Sequence, residues 1–311
     1  PERVTAIDYK SNAAVPARAE DVPEGYLRQM AAYRHALRAI WPDRRVETAI
    51  LWTRTRTLMP LPDALLDACA GAVRIYNSID APALRIPDDV AARFDLFLTG
   101  AEWQSEAIRA RVPGARTLVL PIGPEFASGE TFFPTGAPKD RDVVYVACTQ
   151  PYKRHQVLFD ALEANPGMTA LLVVGYGHLT EELRADAARR GLDVEIVGPV
   201  PHDEVNRQIN RARVGVVCGQ HDGAPAILTE YQLAGLPVLA NANLCCGLQF
   251  ITPETGLAAP EGEAFVRALD DLLARHGDYD PRPAALARWG WQASIRTLSD
   301  ELDTIRKART P

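Results

Sequence analysis

The chain has 311 residues, of which 47% are hydrophobic and 24% are charged, as in an ordinary globular protein of two or three domains. The formal net charge of -6 and the absence of a basic stripe exclude a strong nucleic-acid surface, and no apolar run approaches the ~20 residues of a membrane span. None of the five cysteines has metal-ligand spacing, so we expect reduced thiols and a cytoplasmic protein.

The first 68 residues carry a β-α-β-β pattern. The sequence RVTAIDYK at residues 3–10 predicts a strand, and residues 26–41 predict an amphipathic helix that stops before Pro42. A hairpin is predicted from the two apolar runs at residues 46–53 and 57–60.

This fragment resembles the C-terminal end of the PD-(D/E)xK nuclease domain of AddA- and RecB-type helicase–nucleases. Asp8 and Lys10 match the D-x-K of that family, and Gln29 and Tyr33 match its Q-x-x-x-Y on the following helix. The resemblance implies that Asp8 is a ligand of Mg²⁺, with Lys10, Gln29 and Tyr33 close to it. The family's other metal-binding carboxylate precedes D-x-K and has no counterpart here. We therefore expect shared ancestry without nuclease activity.

The character of the sequence changes near residue 70. A strand, a helix and a strand are predicted at residues 94–99, 102–111 and 117–122, followed by a linker at 123–134. We expect a junction of two gene fragments near residue 70. The predicted parts of the chain are residues 1–70, 71–135 and 136–311.

The last of these parts alternates strands with helices. The predicted strands lie at residues 143–147, 170–175, 194–197, 214–218 and 236–240. Such alternation predicts an α/β fold, namely a Rossmann-like, doubly wound parallel sheet preceded by a partial N-terminal α/β region. Trp289 and Trp291 predict the start of a final helix.

Residues 213–241 contain the strongest local signal for function. A buried strand is followed by a tight loop and by a helix that ends at Gly235. At the carboxyl edge of a parallel sheet, this arrangement favours an anion, because the free amides and the helix dipole point at it. Asp222 and Glu230 add two carboxylates, which accept hydrogen bonds from hydroxyl-rich ligands. The alternative is an ordinary helix with two surface acids.

Residues 73–311 resemble GT-B glycosyltransferases, and the segment just described resembles the donor-binding segment of the retaining family 4. Gly223, Pro225 and Glu230 match that family's pattern, in which an acid, Gly, any residue and Pro precede a Glu, and Asp222 replaces the usual first Glu. The resemblance implies that Glu230 binds the nucleotide ribose and that Asp222 contacts the donor sugar. It also implies that amides from Ala224 onward hold phosphate.

The same resemblance assigns a cation to the donor diphosphate. Members of the family commonly place an Arg and a Lys five residues apart after the first strand of this domain. Lys153 matches the Lys and would stabilise the departing diphosphate. Cys148 occupies the Arg position, which leaves Arg154 or His155 as a substitute. A solvated basic turn is the alternative.

Four further positions are implied at the nucleotide sugar. Gly175 and Gly177 would let the backbone approach the nucleotide, and Val200 would lie in the segment that touches the nucleobase. Gly247 would form a turn that faces the donor sugar, although a purely structural turn is an equal alternative.

The sequence therefore predicts a glycosyltransferase that uses a nucleoside-diphosphate sugar. Its acceptor would be a saccharide or a lipid-linked glycan, and retention of configuration is implied by the resemblance. No cofactor is expected for this reaction, and Mg²⁺ enters only with the nuclease alternative. Because no complete acceptor domain is recognisable before residue 94, we also expect that the protein could be inactive. Two alternatives stay open: a non-catalytic nucleotide-sugar-binding module and a Mg²⁺-dependent nuclease fragment.

Overall fold

The computed structural model describes residues 2–12, 14–67, 73–77, 81–120, 128–223 and 225–309. The chain divides into two compact units. One comprises Pro1–Ile75 with Ile86–Leu96, and the other comprises Tyr76–Arg85 with Phe97–Pro311.

The first unit contains the predicted β-α-β-β fragment. Its elements are β1 (Arg3–Lys10), α1 (Glu24–Ile40), β2 (Arg45–Trp52), β3 (Thr57–Pro60), α2 (Asp63–Asp67) and α3 (Asp88–Ala91). Strand β1 is parallel to β2, and β2 pairs antiparallel with β3, as the hairpin pattern predicts. Helix α1 ends before Pro42, which cannot continue a helix. Its buried Met30 packs with Ile50 and Trp52 in the core of this unit.

A three-stranded sheet follows in the chain. It consists of β4 (Ile75–Asn77), β5 (Leu96–Thr99) and β6 (Thr117–Val119), in the order β4-β5-β6. Strands β5 and β6 are parallel and are connected by helix α4 (Glu102–Arg111), which has the predicted bounds. This is the predicted strand–helix–strand unit, with strands shorter than the apolar runs indicated.

Six parallel strands form the principal sheet. They are β7 (Arg141–Thr149), β8 (Thr169–Gly177), β9 (Asp193–Val197), β10 (Ala212–Val217), β11 (Val238–Asn241) and β12 (Gly256–Ala259). Their order is β12-β11-β10-β7-β8-β9, and every pairing is parallel. Strands β7, β8 and β9 are adjacent in the order of the sequence, and β10 then pairs with the other edge of β7, followed outward by β11 and β12. The Rossmann-like, doubly wound sheet is thereby confirmed, and its switch point lies between β7 and β10, where such sheets bind ligands.

Helices cover both faces of the principal sheet. One face carries α5 (His155–Ala164), α6 (Thr180–Arg190) and α9 (Glu263–Ala274), and the other carries α7 (His202–Ile209), α8 (Ile227–Leu233) and α10 (Pro281–Arg288). Within β7, Val143 and Tyr145 enter the first of these cores and Val144 enters the second. This is the period of two that a strand buried on both sides requires.

The final helix is α11 (Trp291–Arg309). Trp291 begins it as predicted, but Trp289 does not, because it follows α10 and packs against Phe250 with 5.1 Å between ring centroids. An ion pair of 2.9 Å joins Arg116, just before β6, to Glu301 of α11. None of the described helices combines the length and the apolar character that crossing a membrane requires.

Candidate functional site

A cleft of about 420 Å³ opens at the carboxyl ends of β7 and β8, beside the start of α8. Its position next to the switch point of the sheet is the expected one for a ligand. Five of the predicted site residues line it together: Lys153, Gly175, Val200, Pro225 and Glu230. A larger hollow, of about 870 Å³, lies in the first unit and is lined by none of the predicted site residues. Size alone therefore does not identify the functional cleft.

Glu230 is a buried carboxylate on the wall of this cleft. It lies in α8, a helix whose seven residues are all buried, and its side chain is 7% exposed. Burial raises the pKa of Glu230 to about 7, because the ionised form loses its hydration. Within the described part of the chain, this carboxylate has no hydrogen bond or ion pair. A group of this kind is suited to accept hydrogen bonds from a ligand's hydroxyls. The alternative of a solvated surface acid is wrong for Glu230.

Lys153 and Asp222 form an ion pair with each other. Lys153 ends a short 3-10 turn after β7, and Asp222 lies in the loop after β10, so the switch point of the sheet brings them together. Each side chain is 15% exposed. The two residues predicted to act on diphosphate and sugar are thus neighbours, and each neutralises the other's charge.

Neither Arg154 nor His155, the two substitutes for the arginine of the family pattern, provides a free cation for the diphosphate. The Arg154 guanidinium is ion-paired with Glu261. His155 is buried against the ring of Tyr145, 5.1 Å between centroids, and burial lowers its pKa to about 4. His155 is therefore neutral at pH 7 and supplies no cation. Cys148, at the arginine position itself, lines the cleft.

The predicted glycines have different roles. Gly175 lines the cleft, and a Cβ there would have no atom within 4 Å. Gly177 has a φ of +133°, and a Cβ would lie 2.4 Å from the backbone oxygen of Thr149, so strand packing by itself requires a glycine here. The same holds for Gly198, beside which a Cβ would lie 1.9 Å from the backbone oxygen of Val174.

The loop after β11 reaches the start of α8. Gly247, with a φ of +102°, packs so closely on this helix that a Cβ would lie 2.8 Å from Leu228. In the same loop, the Cys245 thiol donates to the backbone oxygen of Asp222 at 3.1 Å. The loop therefore lies beside Asp222. Gly223 belongs to the loop before α8, and Ala224 lies outside the described residues.

The residues of the nuclease resemblance also form a connected group. Lys10 Nζ lies 2.9 Å from the Asp8 carboxylate and donates to Gln29 at 3.0 Å, and Gln29 donates to the Tyr33 hydroxyl at 2.6 Å. The two motifs therefore meet as their spacing predicts. Asp8 is neutralised by Lys10. Among the described residues, no group of three or more His, Cys, Asp or Glu side chains could hold a metal ion.

Three residues near the cleft were not predicted from the sequence. Tyr176 lines the cleft with 72% of its surface exposed, and Lys153 Nζ lies 5.1 Å from the ring centroid of Tyr152. Trp103 of α4 donates from Nε1 to the backbone oxygen of Cys245 at 2.5 Å. The position of Tyr176 between two glycines was the available signal, because a bulky side chain in such a turn has to project outward.

Comparisons with known proteins agree with the predicted family and with the fold. A family profile described as "Glycosyl transferases group 1" matches residues 128–286, just over half of the chain. A curated relative, the amylovoran biosynthesis glycosyltransferase AmsK of Erwinia amylovora, is 28% identical over 134 residues. That match spans 40% of this chain and only 33% of the relative, so the chain corresponds to about a third of the relative's length.

Solved structures share the fold over nearly the whole chain. Sucrose-phosphate synthase from Thermosynechococcus elongatus has a TM-score of 0.65 at 18% identity, covering 95% of this chain and 81% of that one. Anabaena Alr3699/HepE, solved with UDP and glucose, has a TM-score of 0.61 at 14% identity and covers 96% and 99%. At these identities the likeness concerns the fold. None of these comparisons supports the nuclease resemblance of residues 1–68.

Proposed function

We propose, because the chain belongs to the glycosyl transferases group 1 family, that it binds a nucleoside-diphosphate sugar in the cleft at β7, β8 and α8. The sugar is then transferred to a saccharide or a lipid-linked glycan, with retention of configuration at the anomeric carbon. The observation that carries this proposal is the buried Glu230 carboxylate, which has no partner among the described residues and lies in the same cleft as Lys153.

Each part of the donor has a chemical counterpart in the cleft. The ribose hydroxyls donate to Glu230, which replaces the hydration that burial has removed. The diphosphate draws Lys153 away from Asp222 and is stabilised by the ammonium as the bond to the sugar breaks. Asp222, once released, accepts hydrogen bonds from the hydroxyls of the donor sugar. Since Lys153 offsets part of the departing charge, the proposed reaction requires no metal ion.

A solved structure of the same fold suggests the first ligands for a test. Alr3699/HepE was solved with UDP and with UDP-glucose, which makes these two compounds the first to examine here. We expect one sugar nucleotide from a panel of UDP-, GDP- and ADP-hexoses to bind in calorimetry, and Glu230→Ala to weaken it about ten- to a hundredfold. The matched control is Glu182→Ala, which removes an exposed glutamate from α6.

Measurements of binding and of turnover distinguish an active glycosyltransferase from a non-catalytic nucleotide-sugar-binding module. Release of the labelled hexose to water, or its transfer to an added saccharide, identifies an enzyme. Binding without either reaction identifies a nucleotide-sugar-binding module. If the wild-type protein binds no member of the panel, the proposed function is wrong.

A further inference from the structure

Two tyrosines lie close to the end of β7, where Cys148 and Lys153 line the cleft. The Tyr152 hydroxyl lies 3.3 Å from the Cys148 thiol. Tyr176 precedes Gly177, which pairs with Thr149 of β7, and it lines the cleft together with Cys148 and Lys153. Lys153 Nζ is 5.1 Å from the centroid of the Tyr152 ring. The Tyr152 hydroxyl, the Cys148 thiol and the Lys153 ammonium therefore occupy one corner at the end of β7, and Tyr176 borders the same cleft.

This corner has little net positive charge. Among the described residues that line the cleft, Lys153 is the only lysine or arginine, and its charge is matched by Asp222. Glu230 adds a carboxylate to the same cleft. A diphosphate with about two negative charges therefore needs hydrogen-bond donors in addition to Lys153, and the tyrosine hydroxyls at this corner are uncharged donors.

Both hydroxyls are available as donors. A tyrosine hydroxyl is protonated at pH 7, and burial together with hydrogen bonding to Cys148 raises the pKa of Tyr152 further. The Tyr152 hydroxyl has the Cys148 thiol as its partner. Because a thiol forms only weak hydrogen bonds, exchanging it for a phosphate oxygen is favourable. Tyr176 is 72% exposed and accessible to a ligand. Its backbone is held by Gly177 against Thr149, so the side chain starts from a fixed point.

We propose that the hydroxyls of Tyr152 and Tyr176 bind the donor's diphosphate as neutral hydrogen-bond donors, at the corner that Cys148 leaves without a cation. This inference rests on the proposed function and adds a subsite to it. The chain would bind its diphosphate with one ammonium and two hydroxyls, since the described lining of the cleft contains no second lysine or arginine.

The test uses Tyr152→Phe, Tyr176→Phe and the double variant in the full chain, because phenylalanine keeps the ring and removes only the hydroxyl. Calorimetry is performed with UDP, GDP or ADP, whichever the wild type binds best, and with the matching sugar nucleotide. The free nucleoside is followed by saturation-transfer NMR. We expect each single variant to lose about tenfold in affinity for the nucleoside diphosphate, as for a hydrogen bond to a charged group. The nucleoside itself should bind within about twofold of wild type.

Tyr9→Phe is the matched control, since Tyr9 is 66% exposed and lies on β1. Diphosphate affinity within about twofold of wild type in both single variants and in the double variant would overturn the proposal. An equal loss for the free nucleoside, or a loss confined to the sugar nucleotide, would also overturn it, because the hydroxyls would then contact base or sugar. A wild type that binds none of the three diphosphates would instead refute the proposed function.

Discussion

Replacing Glu230 by glutamine should stabilise the fold and, at the same time, lower the affinity for the donor. Glutamine keeps the shape of the side chain and removes the charge. Burial raises the pKa of Glu230 from its ordinary value of 4.5 to about 7. This difference corresponds to about 3 kcal/mol of unfolding free energy, at about 1.4 kcal/mol per pH unit.

The sign of the effect follows from the proton balance. Between pH 4.5 and 7 the unfolded chain has released this proton and the folded protein still holds it. The folded state therefore binds more protons, and its stability falls as pH rises through this range. The contribution is fully present below pH 4.5 and is lost above pH 7. Glu230→Gln should thus match wild type near pH 4.5 and exceed it by about 3 kcal/mol at pH 8, roughly 6–12 °C in Tm.

Binding should show the opposite dependence. Ribose hydroxyls donate to the ionised carboxylate, so donor binding lowers the pKa of Glu230 and releases a proton. The affinity of the wild type for a sugar nucleotide should therefore rise between pH 6 and 8. In Glu230→Gln the affinity should be about ten- to a hundredfold lower at pH 8 and nearly independent of pH.

Thermal and urea melts at pH 4.5, 6 and 8, together with calorimetry at pH 6 and 8, measure both effects. A sugar nucleotide is the better ligand here, because its diphosphate has no group that titrates near neutral pH. Glu182→Gln, on the exposed side of α6, is the control and should change neither profile. Parallel stability profiles for wild type and Glu230→Gln would refute the reasoning about burial. Unchanged affinity would refute the ribose contact.

Four further outcomes are expected. Asp222→Ala should bind a sugar nucleotide about tenfold more weakly, because a contact to the donor sugar is lost. Its affinity for the nucleoside diphosphate should not fall, because Lys153 is released from its ion pair. Equal losses for the two ligands in calorimetry would contradict this. Lys153→Met should lower the affinity for the nucleoside diphosphate and leave the affinity for the free nucleoside unchanged. A loss of affinity for both would contradict a contact with the diphosphate. Gly215→Ala should lower stability by about 1–3 kcal/mol, since its Cβ would lie 2.5 Å from the buried ring of Tyr231, and an unchanged Tm would count against it. Linear DNA should not be cleaved with Mg²⁺ in gel assays, whereas cleavage that disappears in Asp8→Ala would establish the nuclease.

Much of the fold could be predicted because the apolar residues recur with the period of a strand or a helix. Strand β1 and helix α4 have the predicted bounds, because apolar periodicity and flanking breakers coincide there. The apolar run predicts that β11 begins at Leu236, but the strand begins at Val238, because Pro237 cannot donate to a ladder. Strand β12 was missed, because GLAA contains no β-branched or aromatic residue.

The candidate site was harder to predict than the fold, since its properties depend on distant segments. The motif identified Glu230 and Lys153, and both line the cleft. Their electrostatic states were not predictable, because the burial of Glu230 results from packing around α8, and Lys153 meets Asp222 across 69 positions of sequence. His155 was considered as a substitute cation, but its burial against Tyr145 comes from the fold of β7 onto α5.

Gly177, at the end of β8, and Gly198, directly after β9, have a consequence for redesign of the protein. Gly177 and Gly198 each bring a backbone so close to a neighbouring strand that not even a methyl group fits. Substitution should therefore be poorly tolerated at both positions. Tyr176, between Gly175 and Gly177, lines the cleft with 72% of its surface exposed, and it belongs to neither core cluster of the principal sheet. A library of all amino acids at position 176 should consequently fold almost without exception while its members differ in ligand preference, which makes this position the natural entry point for altering donor selectivity.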